Sequence, residues 1–251
     1  MGALQGGGDD VTSEHRQMMY LTGIPIPISG KVKIYSVPLK EIWEFGYDRY
    51  ISIVSAICIQ KDELKSLFPD IESDDLSPID FIIANIIYNK KDSKSFYDVI
   101  KMLTHEKIDC DIEKRTIRIG DGILSQNNIG EFQEIVKDRN LMNVEESHEN
   151  PSNDKARQIL ERSRELRRKR KQYDDNDSGI TFADIISIMA AKMRKPISEI
   201  GDYDIWQIND QLARLKAFDD YEVGYQALLH GAKKEDVDLN HWIGKNINLF
   251  E

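Results

Sequence analysis

The sequence predicts a mainly helical protein with a few short β-strands, built from two modules that are joined by a polar linker and a basic helix. Apolar residues recur at helical spacing along most of the 251 residues, and two short runs alternate between apolar and polar residues. The composition changes abruptly after residue 142. We therefore divide the chain into a disordered N-terminus (1–17), a helical module with short hairpins (18–142), a linker with the basic helix (143–178) and a three-helix module (179–251).

The N-terminal module is predicted to begin with a small hairpin. Ile24, Ile26 and Ile28 share one face of an extended run, and prolines occupy the other face. Proline cannot donate a hydrogen bond to a sheet, so this strand is expected at an edge. A second extended run, residues 31–38, follows a Ser-Gly turn.

A helix is predicted to start at Pro38, since proline is tolerated in the first helical turn. Its spacing predicts a core-facing stripe of Leu39, Ile42, Trp43 and Tyr47, with helical periodicity continuing to residue 59.

The rest of the N-terminal module is predicted as three helices and one hairpin. The helices cover residues 77–88, 93–103 and 129–139, and the first of these is nearly all apolar and therefore buried. The hairpin covers residues 108–119, with its turn near Glu113.

The C-terminal module is predicted as three helices with a core of their own. The first begins near residue 180, the second covers 205–218, and the third covers 221–230 and ends at Gly231, a natural C-cap. The core candidates of the second helix are Trp206, Leu212, Leu215 and Phe218.

The composition and the motifs give no sign of catalysis. The chain has no phosphate-binding loop, dinucleotide-binding glycine turn, serine elbow or zinc-protease motif. Its two cysteines, Cys58 and Cys110, have no metal-ligand spacing, and its five histidines are scattered. We expect a non-enzymatic protein without cofactor or metal, kept in a reducing, cytoplasmic compartment. No apolar stretch is long enough to predict a membrane span.

The basic helix allows three interpretations. Residues 154–172 contain nine basic and three acidic residues, in a chain whose net charge is -10. The helix could be a solvated connector, a contact with an acidic protein surface, or a nucleic-acid patch within residues 155–171. We favour them in that order, because the rest of the chain repels phosphate.

The candidate protein-binding residues are aromatic residues and arginines. A tryptophan in an apolar helix is usually a core anchor, and the alternative is an interface hot spot. The candidates are Trp43, Tyr47, Arg164, Arg167, Arg168, Arg170, Trp206 and Trp242.

Several segments resemble the tail assembly chaperones of long-tailed bacteriophages and prophages of Gram-positive bacteria. In the C-terminal module the resemblance is carried by Ile180-Thr-Phe-Ala-Asp-Ile-Ile, by Ile205-Trp-Gln-Ile-Asn-Asp-Gln-Leu and by Tyr225-Gln-Ala-Leu-Leu-His-Gly-Ala. In the N-terminal module it is carried by Tyr20-Leu-Thr-Gly-Ile-Pro-Ile-Pro-Ile and by Leu39-Lys-Glu-Ile-Trp-Glu-Phe-Gly-Tyr.

The resemblance implies a function in virion assembly. Such chaperones bind the tape measure protein, keep its long amphipathic helices soluble and recruit tail tube subunits around it. The implied partners are therefore the tape measure protein and the tail tube protein in the bacterial cytoplasm, and a homo-oligomer is plausible for a protein that coats a long target.

The alternative function, a nucleic-acid-associated regulator, makes a prediction of its own. If the basic helix binds nucleic acid, duplex DNA or RNA should bind with an affinity that falls steeply with salt, because each phosphate contact releases counterions. Replacing Arg167, Arg168 and Arg170 with alanine should abolish that binding. An electrophoretic mobility shift assay at low salt measures it, and absence of binding there would exclude this alternative.

Overall fold

The computed structural model describes residues 13–69, 77–89, 91–142, 182–233 and 237. The predicted linker with its basic helix, residues 143–178, therefore lies entirely outside the described residues. The described helices are α1 (Ser13–Thr22), α2 (Leu39–Phe45), α3 (Tyr47–Ile57), α4 (Lys61–Leu67), α5 (Pro78–Tyr88), α6 (Ser93–Thr104), α7 (Ile129–Arg139), α8 (Phe182–Met193), α9 (Ile197–Ile200) and α10 (Ile205–Leu229). The described strands are β1 (Ile26–Ile28), β2 (Val32–Ile34), β3 (Ile108–Asp111), β4 (Thr116–Ile119) and β5 (Gly122–Leu124).

The predicted fold class, mainly helical with a few short strands, is confirmed. β1 and β2 form a two-stranded antiparallel sheet, and β3, β4 and β5 form a three-stranded antiparallel sheet in chain order. In the first sheet, Ile26 pairs with Ile34 and Ile28 pairs with Val32, so that these apolar residues share the buried face. Period-two alternation selects one face of a strand for burial, which is why the hairpin could be predicted.

Local patterns also predicted α5, α6, α7 and the β3–β4 hairpin correctly. Pro78 occupies the first helical position of α5, and the Ser77 side chain does not cap this helix. The Ser77 hydroxyl instead donates to the side-chain oxygen of Gln126. The hairpin turn lies between Asp111 and Thr116, around the predicted position.

Gly46 divides the helix that was predicted to run from residue 38 to residue 59. Its φ of 101° is disfavoured for residues with a side chain, and it separates α2 from α3. The predicted apolar stripe is divided accordingly. Leu39 and Ile42 are buried, whereas Trp43 is 46% exposed and Tyr47 is 37% exposed. The expectation that all four residues face the core was therefore wrong for the two aromatic residues.

Helix α1 begins at Ser13, inside the segment that was predicted to be disordered, and includes Tyr20, which was predicted to be extended. A distant contact explains this difference. The ring of Tyr20 is buried and lies 5.8 Å from the ring of Trp206 on α10. The Gln207 amide also donates to the carbonyl of Leu21 near the end of α1, at 3.0 Å. Tertiary packing of this kind stabilises short helices whose local sequence gives little signal.

The two predicted helices between residues 205 and 230 are one continuous helix, α10, of 25 residues. The acidic pair at the predicted break, Asp219 and Asp220, contains neither glycine nor proline, and Asp219 forms an ion pair with Lys192 on α8. The predicted end is confirmed, because Gly231 adopts a φ of 94° directly after the cap residue His230.

The described helices of the C-terminal region share one hydrophobic core with the N-terminal region. Ile205, Trp206 and Ile208 of α10 and Met189 of α8 belong to the same buried cluster as the side chains of α2, α3, α6 and α7. The expectation of a separate C-terminal core was therefore wrong. Phe218, a predicted core residue, is 38% exposed, because α10 extends past the region where it packs on α1 and α7.

The turn between β1 and β2 is fastened to the second sheet by one side chain. The Asn128 amide donates to the carbonyls of Ser29 and Ile123, at 2.7 and 2.9 Å. Gly30 lies against this contact with a φ of 79°, and a Cβ at this position would be 2.4 Å from the Ile123 carbonyl oxygen. The close approach of the two sheets thus requires glycine at position 30.

We predict opposite effects of two Gly→Ala substitutions. Gly30→Ala should lower the free energy of unfolding by more than about 1 kcal/mol, because it combines a left-handed backbone with a backbone clash. Gly130→Ala is the matched control, since it lies in α7 with nothing near its Cβ position, and it should raise this free energy by up to about 1 kcal/mol. Urea denaturation measures both, and an equally stable Gly30→Ala protein would contradict the prediction.

Candidate protein-binding groove

The start of α2 is held by the chain segment between α9 and α10. Pro38, the residue before this helix, has no side chain that can accept from the free N–H groups of the first turn. The Leu39 N–H donates instead to the Tyr203 carbonyl at 2.9 Å, and the Lys40 N–H donates to the Gly201 carbonyl at 3.0 Å. Backbone groups of the C-terminal region therefore cap a helix of the N-terminal region.

An apolar groove of about 520 Å³ opens at this junction. One wall is α2, which contributes Leu39, Lys40 and Trp43. The opposite wall is α8 together with α9, which contribute mainly Phe182, Ala183, Ile186 and Ile197. Among the described residues of the lining, only Lys40 and Ser187 have polar side chains. The groove is therefore suited to apolar surface rather than to a polar ligand.

Two aromatic residues of the lining, Trp43 and Phe182, pack against each other and against Tyr47. The Phe182 ring centroid lies 4.9 Å from that of Trp43 and 6.0 Å from that of Tyr47, and the Trp43 and Tyr47 centroids are 5.5 Å apart. These are the separations at which aromatic pairs attract each other. Burial raises the pKa of the Tyr47 phenol, which remains a neutral hydrogen-bond donor at physiological pH. We call Trp43, Tyr47 and Phe182 the aromatic cluster.

The lining also leaves large apolar surfaces in solvent. Ile197 is 60% exposed, and Trp43 is nearly half exposed. Buried tryptophan in a partner interface is a frequent source of binding energy. A contiguous exposed apolar surface with an aromatic cluster is typical of a protein-binding site.

A buried ion pair joins α7 to the start of α10, close to the chain segment that caps α2. The Arg139 guanidinium on α7 donates to the Asp204 carboxylate at 3.2 Å and to the Ile24 carbonyl at 2.6 Å. Its carbon atom also lies 5.4 Å from the centre of the Tyr20 ring. The side chains of Arg139 and Asp204 are only 3% and 4% exposed. The same carboxylate accepts from the Gln207 N–H at 2.8 Å and thereby caps α10.

Burial dominates the electrostatics of this ion pair. It raises the pKa of Asp204 to about 6, although the hydrogen bonds from Gln207 and Arg139 act in the opposite direction. Burial also lowers the pKa of Arg139, which remains fully charged at neutral pH. The ion pair therefore positions the helices, while the desolvation of its charges costs stability.

Burial keeps both cysteine thiols in their protonated, unreactive form. Burial raises the pKa of the Cys58 thiol to about 12 and that of the Cys110 thiol to about 11, so both are protonated at neutral pH. Within the described ranges, no group of three or more histidine, cysteine and carboxylate side chains could hold a metal ion. Within the same ranges, no helix combines the length and apolarity that a bilayer-spanning segment needs.

The structure brings together only some of the predicted binding residues. Trp43 and Tyr47 lie in the aromatic cluster. Trp206 is 1% exposed and is therefore a core anchor, which is the usual role of a tryptophan in an apolar helix. The other candidates, Arg164, Arg167, Arg168, Arg170 and Trp242, lie outside the described residues.

Sequence reasoning missed Phe182, Ile186 and Ile197 of the opposite wall. Ile197 follows the Lys195-Pro196 turn and begins a helix of four residues. An apolar residue at such a position is a local signal of an exposed apolar surface. No local pattern indicates that Phe182 meets Trp43, because 138 intervening residues separate them.

Comparison with known proteins bears on the C-terminal region. Residues 169–248, which include α8, α9 and α10, match the family described as the YomV second domain. This similarity points to a phage-derived family. No curated protein and no solved structure matches the chain.

The raised pKa of Asp204 predicts an unusual pH dependence. Between pH 3.8 and about 6, the folded protein retains a proton that the unfolded chain releases, so acidification stabilises the fold through this group. The free energy of unfolding of the wild type, minus that of Asp204→Asn, should rise on the order of 3 kcal/mol from about pH 7 to about pH 4. Asparagine keeps the helix cap but cannot titrate.

Urea denaturation of both proteins at several pH values measures this difference. A difference that stays constant, or that falls on acidification, would show that the carboxylate has an ordinary pKa.

Proposed function

We propose that this chain is a non-catalytic phage assembly factor, a tail assembly chaperone whose groove binds an amphipathic helix of the tape measure protein. The observation that carries the proposal is the open apolar groove between α2 and α8–α9. The match of residues 169–248 to a phage-derived family, and the resemblance of both regions to tail assembly chaperones, support the choice of partner.

The groove has the properties that such a partner requires. A tape measure protein is a long amphipathic helix whose apolar stripe causes aggregation when it is exposed. Binding of that stripe in a groove between helices is an established mode of peptide recognition, in which side chains at i, i+3, i+4 and i+7 act as anchors. The aromatic cluster and Ile197 present the apolar surface that these anchors need.

The remaining parts of the proposal rest on the resemblance. In the host cytoplasm, the chaperone recruits tail tube subunits to the bound tape measure protein. A chain that binds both proteins raises their effective concentration near each other. This function needs no bound cofactor and no chemical step.

The test is co-expression of the full chain with the tape measure protein of the same phage. The soluble fraction of the tape measure protein should rise several-fold. The variants Trp43→Ser and Ile197→Ser should lose that effect, because each removes an exposed apolar anchor of the groove.

Val223→Ser is the matched control. Val223 is 69% exposed on α10 and does not line the groove. This variant should therefore retain full activity. Circular dichroism checks that all three variants are folded. An unchanged soluble fraction on co-expression would exclude the proposed function, and equal activity of all three variants would exclude the groove as its site.

A further inference from the structure

Three carboxylates are the direct chain neighbours of Lys40, Trp43 and Tyr47, and they have no ion-pair partner in the described part of the chain. They are Glu41, Glu44 and Asp48. The hydrogen bond to Asp202 is the main cause that raises the pKa of Lys40, and the nearby charges of Glu41 and Glu44 act in the same direction. Burial is the main cause that raises the pKa of Tyr47, and the charge of Asp48 adds to it. We call these three residues the acidic rim.

The one lysine of the lining does not neutralise the acidic rim. The Lys40 ammonium lies 2.6 Å from the Asp202 carboxylate, which is therefore its direct partner. Arg49, the basic residue next to Asp48, is directed elsewhere: its guanidinium donates to the Ser95 hydroxyl of α6 and lies 5.3 Å from the Phe45 ring centre.

The opposite wall has its basic groups paired as well. Lys195 lies 3.7 Å from the Glu199 carboxylate, and Lys192 is paired with Asp219. Arg194 follows the last turn of α8, at the far end from Phe182, and does not line the groove. Among the described residues, the groove therefore combines an apolar lining with unpaired negative charge beside α2 and the start of α3.

We propose that the groove selects an amphipathic helix with basic residues on the side of its apolar stripe that faces α2 and the start of α3. This inference rests on the proposed function and specifies which helices of a tape measure protein the chaperone binds. Lysines beside the stripe would lie against Glu41, Glu44 and Asp48 when the stripe enters the groove. Complementary charge at a rim speeds association and excludes like-charged partners, whereas the apolar contacts provide most of the affinity.

The chain's own basic segment, residues 154–172, is a competing occupant, because it precedes Phe182 by only ten residues. It carries Ile159, Leu160 and Leu166 among its charges. A partner helix is favoured over this segment, since these three residues do not form a continuous i, i+3, i+4, i+7 stripe.

The experiment compares two model peptides that share one leucine stripe and differ in its flanks, which are lysine in one and glutamate in the other. Fluorescence anisotropy measures their binding to the full chain. At about 50 mM salt, the lysine peptide should bind at least roughly tenfold more tightly, and this ratio should shrink as salt screens the rim.

In a triple variant, Glu41→Gln, Glu44→Gln and Asp48→Asn, the ratio of the two peptide affinities should fall close to one. The affinity for the glutamate peptide should not decrease. A matched control removes the same charge from the second sheet, through Asp109→Asn, Glu113→Gln and Asp121→Asn. The control should keep most of the wild-type ratio, which separates the rim from the net charge of the protein.

The outcomes distinguish this inference from the proposed function. If both peptides bind equally and the Trp43→Ser variant binds neither, the inference about charge is overturned. The groove would then still be supported as the binding site of the proposed chaperone. If neither peptide binds, both proposals fail.

Two further outcomes would assign the groove to another occupant. Binding that occurs only after Arg167, Arg168 and Arg170 are replaced by alanine would assign it to the chain's own basic segment. A concentration-dependent dimer that excludes both peptides would assign it to a second copy. Either result would overturn the inference.

Discussion

The buried ion pair between Arg139 and Asp204 joins the end of α7 to the start of α10, and the arrangement of the two regions depends on it. Each partner makes further contacts that continue the connection. Arg139 reaches the chain before β1, and Asp204 caps the longest described helix. Removing one partner would leave a charge buried without compensation, which typically costs several kcal/mol. The pair therefore fixes the orientation of α10 more than it adds to net stability.

The groove lies at the junction of the same two regions. One wall comes from α2 in the N-terminal region, and the other comes from α8 and α9 in the C-terminal region. The carbonyls of Gly201 and Tyr203 align these walls, because they accept from the first N–H groups of α2. A binding surface made in this way exists only while the two regions are packed together.

Much of the fold could be predicted from the sequence because its signals are local. Each signal is contained in about a dozen consecutive residues. Examples are the N-terminal proline of α5, the amphipathic spacing of α6 and the alternation in the β3–β4 hairpin. The elements that were missed depend on distant partners. Helix α1 is stabilised by α10, and the shared core brings Trp206 against Tyr20. Gly46 is a local signal that was overlooked, since a glycine can end a helix by adopting a positive φ.

Only one wall of the candidate site was predicted from the sequence. Trp43 and Tyr47 were singled out as large aromatic residues in a helix, but their exposure follows from the turn at Gly46. Phe182, Ile186 and Ile197 carry no signal that relates them to Trp43. Arg139 and Asp204 are 65 residues apart, and an arginine at the end of one helix and an aspartate at the start of another both have ordinary local explanations.

The division of the groove between two regions couples partner binding to docking of the C-terminal helices. A ligand that bridges both walls binds the docked form alone and stabilises it by mass action, by about 2.7 kcal/mol when its concentration is a hundred times its dissociation constant. The reverse also holds, because any event that draws α8 and α9 away from α2 removes the surface that the ligand occupies. Release of such a ligand then requires only a competing contact on one wall.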